Sequence, residues 1–355
     1  MKALIGFVLV EAQKQSRNRR QRLLLLLRLR VLVEERNFLT ARALSPPLDC
    51  AWYHVYSSRC VGSLITTVSI PPSAFDELLR VFSRFCTVKS GVGKRGRPPT
   101  FVTKHAVFAC LLHFYSTPIE HKTLCELFGV PPSTLLRVLA KAEQALALAL
   151  STIPDAAVRY PSKATQLLWA AQVNNSEPLI TGAWGFLDGK NYHVQSPSDV
   201  DLQNAQYNGW LHSVLVTGTL CCGVDGTLVW GQYNSPGSWN DGETNRQLQV
   251  KLADKAVTAP RTGVVIDSSS LWASRCPIRT PLKEGDLERA HSDCRLALID
   301  MHNPIKSIRQ AAKWGMSSTG KCYRRLLLSL PYNPAVRGLR LQNIYRLYNF
   351  RTRKT

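Results

Sequence analysis

The hydrophobic period of this chain changes near residue 182, and that change limits the folds open to it. Before it, apolar residues recur at helical spacing; after it, short apolar runs end at Asp or at turn residues. GAWGFLDGKNYHV (182–194) reads as a strand carrying Asp188. LHSVLVTGTLCCGVDGTLVWGQYN (211–234) reads as two strands joined at Asp225-Gly226, a strong hairpin signal. In the segment that follows, Ser238 or Asn240 can cap a helix opening with Asp241 and Glu243, acids at the helix end that favours them. TGVVIDSSS (262–270) is a further apolar strand, Gly263 to Ile266, ending at Asp267. Strand, hairpin, helix, strand and then helices predict an α/β (α+β) domain with a mixed sheet flanked by helices.

Upstream, the spacing predicts helices. AFDELLRVFSRF (74–85) puts Phe75, Leu78, Leu79 and Phe82 on one face. Residues 102–150 read as three helices broken at GVPPST, with Gly129 at a helix end and Ser133 at an N-cap. A short helix, a tight Gly-containing turn and a second helix give a helix-turn-helix outline. On its second helix Arg137 and Lys141 share one face and could meet phosphates. A plain helical bundle would read the same way. Between these parts, KSGVGKRGRPPTF (89–101) contains Lys94-Arg95-Gly96-Arg97-Pro98. That core resembles an AT-hook, an arm that lays Arg95 and Arg97 in a narrow minor groove; a basic Gly/Pro linker is the plainer reading. The expected organisation is a basic, irregular segment 1–70, a helical DNA-binding region 74–150, a helix and linker 151–180, and the sheet-bearing domain 181–350.

Charge favours a polyanionic partner. Lys and Arg number 45 against 24 Asp and Glu, a net charge of +21 in 355 residues, which points to DNA or RNA ahead of an anionic membrane surface. The excess is steepest at the end: Met301 to Thr355 holds twelve Lys or Arg and no carboxylate. The ten cysteines include no Cys-x-x-Cys pair, so a zinc ribbon is not expected, and reduced thiols in a nuclear or cytosolic protein are. The N-terminal apolar run makes a poor signal peptide, and LLLLL (23–27) is too short to span a bilayer. SRNRRQR (16–22) fits a nuclear-import cluster or a solvated basic tail.

The element order also matches a ribonuclease H-like core, in which adjacent strands bring carboxylates together and a later helix supplies a third. Carboxylates so placed hold two Mg²⁺ or Mn²⁺ ions that activate water and stabilise a leaving oxygen. WGFLDGKNYHV, NGWLHSVLV, NSPGSWNDGE, VVIDS, RTPLK and SIRQAAKWGM, in this order, resemble the DDE superfamily endonucleases of Harbinger-type transposases, in the versions common in oomycete and fungal genomes. The resemblance covers roughly 180–350. It implies nicking of DNA at element ends and strand transfer, a divalent metal, a nuclear home and, often, a Myb-like partner protein.

Carried over on these motifs, Asp188 matches the first catalytic Asp and Asp267 the second, although Asp267 is followed by Ser268-Ser269-Ser270 where the family has Ser-Gly-Tyr. Asp241 matches a further acid typical of the family, or is simply a first-turn helix acid. The third catalytic residue is a Glu in a segment resembling Arg-Gln-Ala-Ala-Glu-Trp-Gly-Met; here it reads Arg309 to Met316 with Lys313 in that place. An ammonium there changes the local charge by two units and cannot hold a metal. Trp314 and Ile308 fit a buried stripe, with a break expected at Asn303-Pro304; a helix turned so that Lys313 faces solvent is the alternative. Three readings result: a DNA-binding descendant that no longer cuts, a decayed copy, or an active nuclease.

Overall fold

The computed structural model describes residues 2–35, 39, 43–87, 101, 103–266, 278–279 and 285–355. Arg95, Arg97 and the rest of the AT-hook-like stretch, and also Asp267, lie outside the described residues.

The N-terminal third is helical from its start: α1 (Lys2–Glu35), α2 (Ala51–Ser58), α3 (Val61–Val68) and α4 (Pro72–Phe85). This corrects the expectation of an irregular segment before residue 70. In α1 every described side chain, residues 11–28 and 30, is exposed, including the five leucines 23–27; no apolar stripe marks it in the sequence. No helix is long and apolar enough to cross a membrane among the described residues. Trp52 of α2 and Leu64 and Val68 of α3 are buried in one cluster with Phe75, Leu78 and Phe82 of α4.

The three helices expected over 102–150 are present as α5 (Lys104–Ser116), α6 (His121–Phe128) and α7 (Pro132–Ser151). Gly129 ends α6 in the left-handed region at φ +64°, and a Cβ there would stand 2.3 Å from the Ser45 carbonyl oxygen, so only glycine fits. Ser133 is not the cap. Pro131 occupies that place without a side-chain bond, and Pro132 opens the helix with its φ already fixed. α8 (Lys163–Ser176) then leads into the sheet.

The strands are β1 (Ala183–His193), β2 (Tyr207–Asn208, after the short helix α9, Val200–Gln206), β3 (Ser213–Gly223), β4 (Leu228–Pro236), β5 (Gly263–Ile266) and β6 (Ile278–Arg279). β3 pairs antiparallel with β1 and β4; β5 is parallel to β1, and β6 is parallel to β5. The order is therefore β4-β3-β1-β5-β6, with β2 beside the start of β3. The expected hairpin turns at Gly226, φ +78°, while Asp225 Oδ1 accepts from the Thr227 amide at 3.0 Å. α10 (Asp241–Ala253) is capped by Asn240, whose side chain accepts from the Glu243 amide.

After the sheet come α11 (Asp286–Arg289) and the long α12 (Ser292–Cys322). Pro304 lies inside α12, which corrects the expected break at Asn303-Pro304. Ile305 is buried there against Phe186 and Val265, with Ile308 beside it; that apolar contact offsets the lost backbone bond, which costs about 3 kcal/mol.

The last helix, α13 (Pro334–Lys354), joins the halves of the molecule. Leu341, Ile344, Tyr345, Leu347 and Phe350 are buried in the same cluster as Phe108 and Leu146 of the helical region and Val216 and Leu228 of the sheet. Polar groups fix its position. Asn349 clamps the Leu228 backbone, Oδ1 accepting from N and Nδ2 donating to O, both at 2.8 Å. Arg340 donates to Glu143 of α7 at 2.7 and 3.2 Å, and Asn343 donates to the Glu143 carbonyl at 2.8 Å. Lys354 pairs with Glu77 and Asp155 at 2.9 and 3.0 Å. Part of the acid-free basic tail is thus occupied within the fold.

Candidate active site

β1 and β5 pair in parallel through Phe186↔Val265 and Leu187↔Ile266, the last register pair among the described residues. The next residue on β1 is Asp188; the next in sequence after Ile266 is Asp267. β1 itself runs on beside β3, with Asp188 opposite Leu220. Asp188 therefore stands at the carboxyl side of the last described parallel pair, the end of an α/β sheet at which ligand crevices form.

The sheet has two covered faces. Leu187, Cys221, Val264 and Ile266 pack with Leu248 and Leu252 of α10. Phe186 and Val265 pack with Ile305 of α12. Side chains alternate along a strand, so Asp188 shares the Phe186 face, the one under α12. Cys222 marks how close the helix comes. It pairs with Phe186, and a Cβ on Gly315 of α12 would stand 2.9 Å from its Sγ. Burial, with the Asp188 and Asp225 carboxylates beside it, pushes the Cys222 thiol up to about 12. The segment that carries Lys313 thus crosses the same side of the sheet as Asp188.

Asp188 is half-buried, and its Oδ1 accepts a hydrogen bond from the Gly189 amide at 3.0 Å. Lys313 is exposed. Trp314 is 70% exposed, which corrects its place on a buried stripe: the inward side of α12 is formed by Ile305, Ile308, Gly315 and Thr319, and Trp314 is turned well away from it. Asp241 is the first residue of α10, which covers the face opposite Asp188. Arg137 and Lys141 are both exposed on α7.

The donors that the described residues bring to this face do not make a site for two divalent cations. Such ions want several hard oxygens; Asp188 offers a carboxylate, position 313 offers an ammonium with donors only, and Asp267 lies outside the described residues. No group of three or more His, Cys, Asp or Glu that could hold a metal occurs among the described residues. The nine described cysteines are free thiols.

The close approach at Gly315 was invisible in the sequence, where the residue reads as an ordinary helix glycine. Gly315→Val should cost about 1–3 kcal/mol by forcing α12 off the sheet. Cys222→Ala in the same chain should recover most of that loss in urea unfolding. Equal loss with and without Cys222 would mean that the contact does not set the helix position.

No known protein family, curated protein or solved structure matches this chain.

Proposed function

We propose that the chain is a DNA-binding protein derived from a DDE-type transposase, with a ribonuclease H-like sheet whose carboxylate pole no longer cuts. The observation that carries this reading is the order β4-β3-β1-β5-β6, three antiparallel strands followed by two parallel ones, with Asp188 and Asp267 each next after the Leu187↔Ile266 pair. α12 supplies the arm on which such a fold carries its third acid, and Lys313 stands there instead. Without that ligand the ancestral metal-dependent nicking and strand transfer lack a two-metal site. What the chain retains is charge, +21 overall, and an α6–α7 outline with Arg137 and Lys141 exposed on the second helix. A nuclear location, and a Myb-like partner as Harbinger-type systems often use, belong to the same proposal.

The test is duplex DNA binding by the full chain. A fragment ending near residue 150 would leave bare the apolar surface that α13 covers, so it is not a fair probe. Binding should weaken at least ~100-fold between about 50 and 200 mM salt, the loss that about four phosphate contacts produce. Binding that ignores salt, or none at low salt, would remove this reading.

A further inference from the structure

The helical region and the C-terminal segment meet at a cluster with more cations than acids. Arg325, in the single turn Arg324–Leu327 that follows α12, lies over the Phe114 ring at 4.2 Å, and Arg340 lies over the same ring at 4.9 Å. The one carboxylate among them, Glu143, is taken: Arg340 donates to both its oxygens and the Tyr115 hydroxyl donates to Oε1 at 3.0 Å. Arg325 is left half-buried with no hydrogen-bond or ion-pair partner among the described residues, and its Nε is buried without an acceptor. A guanidinium nitrogen buried without an acceptor is costly, and such an orphan marks either stored strain or a partner from outside the chain. Burial and the neighbouring Arg340 lower Arg325 to about 10. His121 stacks on Phe114 at 5.9 Å, and burial together with Arg325 and Arg340 lowers its imidazole too.

A second feature points the same way. His121 opens α6, and the preceding Glu120 is exposed and makes no side-chain cap bond. The first amides of α6 therefore lack a side-chain acceptor, at the helix end that favours anions. Lys122, next after His121, and Arg324, next before Arg325, are exposed.

We propose that Arg325, with the start of α6, forms a site for a phosphate oxyanion. A tetrahedral oxyanion offers paired acceptors that match the guanidinium fork and supplies the negative charge missing beside Arg340. On the DNA-binding reading given above, on which this step of the proposal rests, the occupant is a backbone phosphodiester.

The experiment compares the full-length protein with Arg325→Gln and Arg325→Lys. Without anion, Arg325→Gln should melt close to the parent, because the repulsion from Arg340 that it removes offsets the cation–π contact with Phe114 that it loses. Inorganic phosphate should raise the melting temperature of the parent and leave Arg325→Gln unmoved, with Arg325→Lys between them. On duplex DNA, Arg325→Gln should bind about tenfold more weakly at low salt, the loss of one charged hydrogen bond. Its log-log salt slope should be about one unit shallower. A lost phosphate response with an unchanged DNA slope would overturn the DNA backbone as occupant and leave free phosphate. An unchanged phosphate response would overturn the site itself. Failure of the parent to bind DNA at all would count against the DNA-binding reading alone, since the phosphate arm needs no DNA.

Discussion

Glu143→Ala should destabilise the protein by about 3–5 kcal/mol, read as a lower urea midpoint with an unchanged slope. The pair it breaks is enclosed, with the Arg340 and Glu143 side chains 9% and 5% exposed. Removing the carboxylate would strand the Arg340 guanidinium beside Arg325 and leave the Tyr115 hydroxyl without its acceptor. The large cost comes from the charge left behind, not from the worth of the bond. Replacing both partners together, Glu143→Leu with Arg340→Met, should therefore recover most of the loss. Because the pair ties α7 to α13, its rupture should loosen the helical region and the sheet in one transition. Two separate unfolding steps in the parent would show that the shared core does not couple them.

How far the fold could be read in advance depended on what each element buries. β1, the hairpin at Asp225-Gly226, the Asn240 cap and β5 were legible because a strand period, a turn pair and a cap are local signals. α13 was not. Its sequence mixes Arg337, Arg340, Asn343 and Asn349 among apolar residues, and all four polar side chains are buried. A helix packed between a helical layer and a sheet has no polar face, so its period is lost, and its arginines look like a solvated or DNA-facing tail. Pro304 misled for a related reason: the local rule says stop, while the packing of Ile305 and Ile308 carries α12 through. Of the candidate site, Asp188 could be placed from its strand alone. The Gly315–Cys222 contact, which says where α12 crosses, depends on two residues far apart in sequence that carry no motif.

Lys313→Glu has the other large expected effect. It changes the local charge by two units and returns an oxygen donor to the helix that crosses the Asp188 face. If Asp188 and Asp267 still stand at the ends of their paired strands, the variant should gain Mn²⁺ binding, seen by titration calorimetry. It should also gain nicking of at least about 100-fold over the parent, since even outer partners of metal ligands are worth 10–100-fold. Gain of Mn²⁺ binding without nicking would locate the remaining defect in DNA placement. No gain in either would mean that the pole has lost more than one ligand, and would favour the decayed copy.

The most direct measurement is nicking of supercoiled DNA by the unaltered full-length protein in Mg²⁺ and in Mn²⁺, beside Asp188→Ala, at a salt concentration where both bind. The account predicts bound but uncut DNA, with no difference between the two proteins. Metal-dependent nicks that vanish with Asp188→Ala would contradict it and make this chain an active nuclease.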